Sequence, residues 1–116
     1  MLEYSVNTQR KRTALGGELM EFTNYNEIVK SWVQGVYDNH QKDAELTLKY
    51  CNDIIEYAGK MDDARLLGFG YYYIAAVYYI LNDGDSFFAT ISKAMSFLEK
   101  AEEWELIARS YNIRYI

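Results

Sequence analysis

The chain has 116 residues, enough for one small domain, and half of them are hydrophobic, which is sufficient for a real core. Its net charge of −5 excludes a phosphate-binding field spread over the surface, so nucleic acid is not expected as a partner. It contains no proline and a single cysteine, so long uninterrupted helices are favoured and an intramolecular disulfide is excluded.

Residues 1–23 show no clean period and carry the one basic cluster, Arg10-Lys11-Arg12, read as a solvated arm. From Asn24 the pattern sharpens. Ile28, Val29, Trp32, Val33, Val36 and Tyr37 recur on one helical face, with Asn24 or Asn26 as the cap. Asn39-His40-Gln41 interrupts that face. Ala44, Leu48, Cys51, Ile55 and Ala58 then form the stripe of a second amphipathic helix, weakened at its end by Gly59. Asp62 and Asp63 offer caps for a third helix.

That third helix, from about Ala64 to Leu81, is apolar nearly all round, as expected of a helix sandwiched by neighbours. The aromatic run Tyr71 to Tyr79 also suits a strand. Length and the lack of strict alternation decide for helix. Asn82-Asp83-Gly84-Asp85 is a turn. Phe87, Phe88, Ile91, Ala94, Met95, Leu98 and Ala101 mark a fourth helix; Trp104 begins a fifth.

The chain matches itself at a shift of 40 residues. Arg65-Leu66-Leu67-Gly68-Phe69-Gly70-Tyr71 lies over Glu105-Leu106-Ile107-Ala108-Arg109-Ser110-Tyr111, and Met61-Asp62-Asp63 lies over Ala101-Glu102-Glu103. Helix pairs at this period predict an all-α fold, an α-solenoid of antiparallel pairs. Gly68, Gly70, Ala75, Ala76 and Ala94 are expected where helix backbones approach closely.

Tyr71, Ile74, Ala75, Tyr78, the Asn82-Asp83-Gly84 turn and Ala94 occupy places that resemble the tetratricopeptide repeat (TPR) family over residues 26–116. Phe87 departs from that pattern, standing where the family usually has a small residue. The segments Lys60 to Leu66 and Glu103 to Asn112 are similar to the helical repeats that precede GGDEF domains in bacterial diguanylate cyclases. The resemblance implies residues 24–116 as a TPR-like repeat domain, a fragment of a longer signalling protein whose repeats form the sensory or partner-binding half. No GGDEF sequence is present, so no cyclase activity carries over.

The resemblance also implies a groove lined by one stripe of the first helix in each pair: Phe69, Tyr72, Ala76 and Tyr79, then Arg109 and Asn112. Tyrosine joins a broad apolar face to a polar tip, and Arg109 suits a partner carboxylate. A peptide or protein is therefore the expected partner. The alternatives are a homodimer formed through the C-terminal helix, which would make the chain an oligomerisation scaffold, and a small-molecule-binding domain.

No catalytic constellation, cofactor or metal is expected. His40 reads as a helix-end residue and Cys51 as a small buried hydrophobe, with no residue placed to orient them as a nucleophilic pair. Asp62-Asp63 and Glu102-Glu103 read as helix-terminal charges, since adjacent residues point in different directions. The longest apolar run, Phe69 to Leu81, is shorter than the ~20 residues a membrane span needs, and no secretory signal is visible. A cytoplasmic location is expected.

Overall fold

The computed structural model describes residues 20–103 and 106–109. Four helices follow in order: α1 Glu27–Asn39, α2 Ala44–Met61, α3 Ala64–Ile80 and α4 Gly84–Ala101. Residues 106–109 are helical again. No strand occurs among the described residues, so the tyrosine-rich stretch is helix throughout. The fold is all-α, as the apolar periods predict.

Each of the four starts on a side-chain cap. Asn26 Oδ1 accepts from the Val29 N–H at 2.9 Å. Asp43, Asp63 and Asp83 do the same for Leu46, Leu66 and Ser86. These three aspartates stand 20 residues apart, one helix-plus-turn unit each. A carboxylate there satisfies an early N–H and faces the positive end of the helix dipole.

The helix ends repeat with the same spacing. Asp62, Asn82 and Glu102 take the left-handed conformation, with φ of 53°, 60° and 60°. The next residue's N–H returns to a carbonyl five positions back: Asp63 to Ala58, Asp83 to Tyr78, Glu103 to Leu98. This is the Schellman closure, normally built on glycine. In the Asp62-Asp63 pair the work is divided: the first residue ends one helix and the second begins the next.

An L-residue with a Cβ costs roughly 1–2 kcal/mol in that conformation, while glycine loses roughly 0.5–1 kcal/mol more on ordering. Glu102→Gly is thus expected to raise stability by about 0.5–1 kcal/mol in urea denaturation. Asp62→Gly and Asn82→Gly should each gain less, because aspartate and asparagine tolerate this region.

Each helix packs chiefly on its neighbours along the chain. Glycines permit the close approach. A Cβ on Gly68 would meet the Leu98 side chain at 2.6 Å and the Leu98 backbone N at 3.2 Å, and one on Gly70 would meet Ile55. The core runs from Val29, Val33 and Val36 through Cys51 and Ile54 to Leu66, Phe69 and Tyr73, and on to Ile91, Ala94 and Leu98. Met20 and Phe22, which precede residue 24, belong to it as well. Phe22 packs edge-on against Phe69 and lies under the Arg65 guanidinium, which explains its burial.

Two polar contacts recur 40 residues apart along the chain. Tyr25 Oη donates to Asp63 Oδ2 at 2.6 Å, and Arg65 Nε donates to Glu103 Oε2. Both link residues 38 apart. Tyr25 and Arg65 are themselves 40 apart, as are Asp63 and Glu103. Burial first, then the Asp63 carboxylate, pushes the Tyr25 hydroxyl up to about 12. Tyr25 therefore stays a neutral donor at physiological pH.

Candidate functional site

The expected stripe starts with Phe69, Tyr72, Ala76 and Tyr79, which fall on one face of α3 by helical spacing. Burial falls steadily along it. Phe69 is wholly buried, and its ring is enclosed by Phe22, Tyr37 and Tyr73. It is a core residue rather than a groove residue. Tyr72 is also buried, its ring packed edge-on against Tyr73. Ala76 is half-buried, and Tyr79 is 42% exposed.

Arg109 does come to this face. Its guanidinium lies near the Tyr72 hydroxyl, and its charge partly offsets the burial that raises that hydroxyl's pKa. No described carboxylate pairs with Arg109. Asn112 lies outside the described residues. Of the six expected residues, then, Tyr72 and Arg109 meet, Ala76 and Tyr79 continue toward solvent, and Phe69 serves the interior.

Beneath Tyr72 sits a cluster of polar tips in apolar surroundings. Tyr73 Oη is buried and has no hydrogen-bond partner among the described residues. Burial, and then the neighbouring Tyr37 and Tyr72 hydroxyls, push its pKa far up, so it remains a neutral phenol. Tyr37 Oη donates to the Met20 carbonyl at 3.0 Å. Cys51 is fully buried, and burial alone raises its thiol pKa strongly. A thiol held protonated is a poor nucleophile, in keeping with its reading as a small apolar residue.

His40 ends α1, and its backbone N–H reaches the Val36 carbonyl at 2.9 Å. Its ring lies edge-on to Tyr73, with centroids 5.1 Å apart, so it is less open to solvent than a simple helix-end residue. Burial first, then the Arg109 charge, hold its pKa below the ordinary 6.5. The unfolded chain therefore takes up this proton at higher pH than the folded one. The stabilising contribution is complete above about pH 6.5 and is lost as pH falls toward the lower folded value. Urea midpoints are expected to drop between about pH 7.5 and 5.5, and His40→Gln is expected to flatten that slope.

Beside His40 lies a small cleft of about 140 Å³, lined by the α1–α2 turn from His40 to Ala44 and by Val77 and Ile80 of α3. Sites for drug-sized ligands run to ~300–1,000 Å³, so this one suits a single inserted side chain. Next to it is an apolar patch that the periodicity does not single out. Ile80, Leu81 and Phe88 are 53%, 56% and 50% exposed. Tyr79, Phe87 and Phe88 form a chain of ring contacts at 5.7 and 5.1 Å. The signal lies in adjacency. Phe87 and Phe88 are about 100° apart on a helix, so only one can face the core.

Among the described residues, no group of His, Cys, Asp and Glu side chains is gathered to hold a metal. No described helix is long and apolar enough to cross a membrane. Comparisons of the chain with protein-family models, curated proteins and solved structures give no match.

Proposed function

We propose that this chain is a helical repeat module of the TPR kind, a solenoid of antiparallel helix pairs that binds a peptide or protein segment and has no catalytic activity of its own. The recurrence of the Tyr25–Asp63 contact as Arg65–Glu103, one repeat later, supports the solenoid. Short turns before the caps at Asp43, Asp63 and Asp83 support antiparallel neighbours.

The binding reading is carried by one observation. The α3 face passes from Tyr72, beside an Arg109 that has no carboxylate partner among the described residues, out to the half-exposed ring of Tyr79. A cation and aromatic rims on one surface suit a peptide that offers a carboxylate and apolar side chains. The resemblance to repeats that precede GGDEF domains supports a role in a bacterial cytoplasmic signalling protein, where partner binding regulates an attached cyclase.

Peptide-array binding followed by titration tests this. Arg109→Ala and Tyr79→Ala are expected to weaken bound peptides at least about tenfold, which is ~1.4 kcal/mol. Tyr72→Phe keeps the ring and separates the hydroxyl's part. Peptide binding untouched by all three changes would remove the groove.

A further inference from the structure

We infer that the end of the molecule formed by the α1–α2 and α3–α4 turns is a docking face for a basic amphipathic segment of a partner protein. This rests on the chain being a partner-binding module, and it names the chemistry of what is bound. The face shares Tyr79 with the outer end of the stripe, and His40 beside its cleft also feels the Arg109 charge.

Three observations meet there. The first is exposed apolar surface. Tyr79, Ile80, Leu81 and Phe88 are all at least 42% exposed, and they are close along the chain at the turn between α3 and α4. Scattered single apolar residues need no explanation, but here ring contacts join Tyr79 to Phe88 through Phe87 and Ile80 continues into the cleft. The second is the cleft of about 140 Å³ beside His40, which shares Ile80 with the patch. It supplies a socket for one apolar anchor next to a flatter apolar rim.

The third is charge. Asp43 and Glu45 open α2, and Asp83 and Asp85 open α4, all of them exposed. Lys42 is the one cation among the residues of these two turns. Asp43 and Asp83 cap their helices, while Glu45 and Asp85 are in none of the ion pairs among the described residues. His40 is held in its neutral form, so it does not offset this charge near neutral pH. The apolar patch therefore has an acidic border.

That border selects the occupant. A second copy docking by the same face would bring two acidic borders together, which is repulsive. An anionic lipid surface or a nucleic acid would be repelled for the same reason. A segment with apolar residues at helical spacing and Lys or Arg beside them satisfies both the patch and its border.

The test is fluorescence anisotropy with a labelled helical peptide of about 14 residues, roughly four turns, built only of Leu and Lys in amphipathic spacing. A matched peptide carries Glu at every Lys position. The Leu/Lys peptide is expected to bind at least about tenfold tighter than the Leu/Glu one, with the preference shrinking in high salt. Phe88→Ser and Asp85→Lys are each expected to weaken it at least about tenfold, with helicity by circular dichroism unchanged. Ile28→Ser, at the opposite end of α1 and also well exposed, is expected to change nothing.

Equal binding of the two peptides overturns the inference. So does equal weakening by Ile28→Ser and Phe88→Ser, or a concentration-dependent dimer abolished by Phe88→Ser. A protein that takes array peptides through Arg109 yet ignores the Leu/Lys probe keeps the wider binding reading and loses this face. One that binds the probe through Phe88, while its array peptides are untouched by Arg109→Ala, Tyr79→Ala and Tyr72→Phe, keeps this face and loses the groove.

Discussion

Phe69→Ala is expected to destabilise the protein by about 3–5 kcal/mol, the range for truncating a fully buried phenylalanine. The ring is wholly enclosed and touches Phe22, Tyr37 and Tyr73 at centroid distances of 5.1, 5.5 and 4.9 Å. Three elements therefore lose a shared partner at once: the segment before α1, α1 itself and α3. Small domains hold only ~5–15 kcal/mol in total, so the variant would sit at the edge of folding at physiological temperature. Urea denaturation followed by circular dichroism measures this directly. Tyr79→Ala, on the same stripe but 42% exposed, makes the contrast and should cost well under that. A Phe69→Ala protein as stable as the parent would return Phe69 to the exposed stripe.

Gly68→Ala carries the second largest effect. Alanine gains about 1 kcal/mol over glycine in a helix interior. Here the gain is overwhelmed. The new Cβ would stand 2.6 Å from Leu98 Cδ2, 2.9 Å from Leu98 Cγ and 3.2 Å from the Leu98 backbone N. A side-chain tip can swing away, but the α4 backbone cannot move without dragging Leu98, which is fully buried. Overpacking of this kind costs ~1–3 kcal/mol or more. A net loss of up to about 2 kcal/mol is expected, lowering Tm by up to roughly 10 °C in a domain of this size. Gly59→Ala is the control with the opposite sign. Nothing lies within 4 Å of its Cβ position, so helix propensity alone acts and stability should rise by up to ~1 kcal/mol. Equal responses at the two glycines would show that α3 and α4 are not held at this spacing.

Helix existence and helix limits are legible in the sequence because their signals are local. Asn26, Asp63 and the Asn82-Asp83 turn stand where capping chemistry puts them, and the apolar stripes of α1, α2 and α4 follow one helical period. Gly68 and Gly70 do mark points of close approach, as their small size predicts. The stripe on α3 is not legible in the same way. That helix has no polar face, so its own pattern does not say which side is covered. Burial of Phe69 is decided by Phe22 and Tyr37, which lie more than 30 positions away in the chain. Ile28 and Phe88 show the reverse error. Periodicity assigns each to an apolar face because its neighbour, Val29 or Phe87, belongs there, yet each is at least half exposed. Left-handed helix ends on Asp62 and Glu102 are hidden from sequence because the residue usually expected there is glycine.

Because each helix meets chiefly the one before and the one after it, most partners in the fold are near in sequence. Even the longer-range Tyr25–Asp63 and Arg65–Glu103 contacts close loops of only 38 residues. Loop-closure entropy grows slowly with length, and helical proteins rich in contacts between chain neighbours fold in microseconds to milliseconds. Assembly can thus proceed as the chain is synthesised, each unit docking on the last without waiting for a distant strand to arrive.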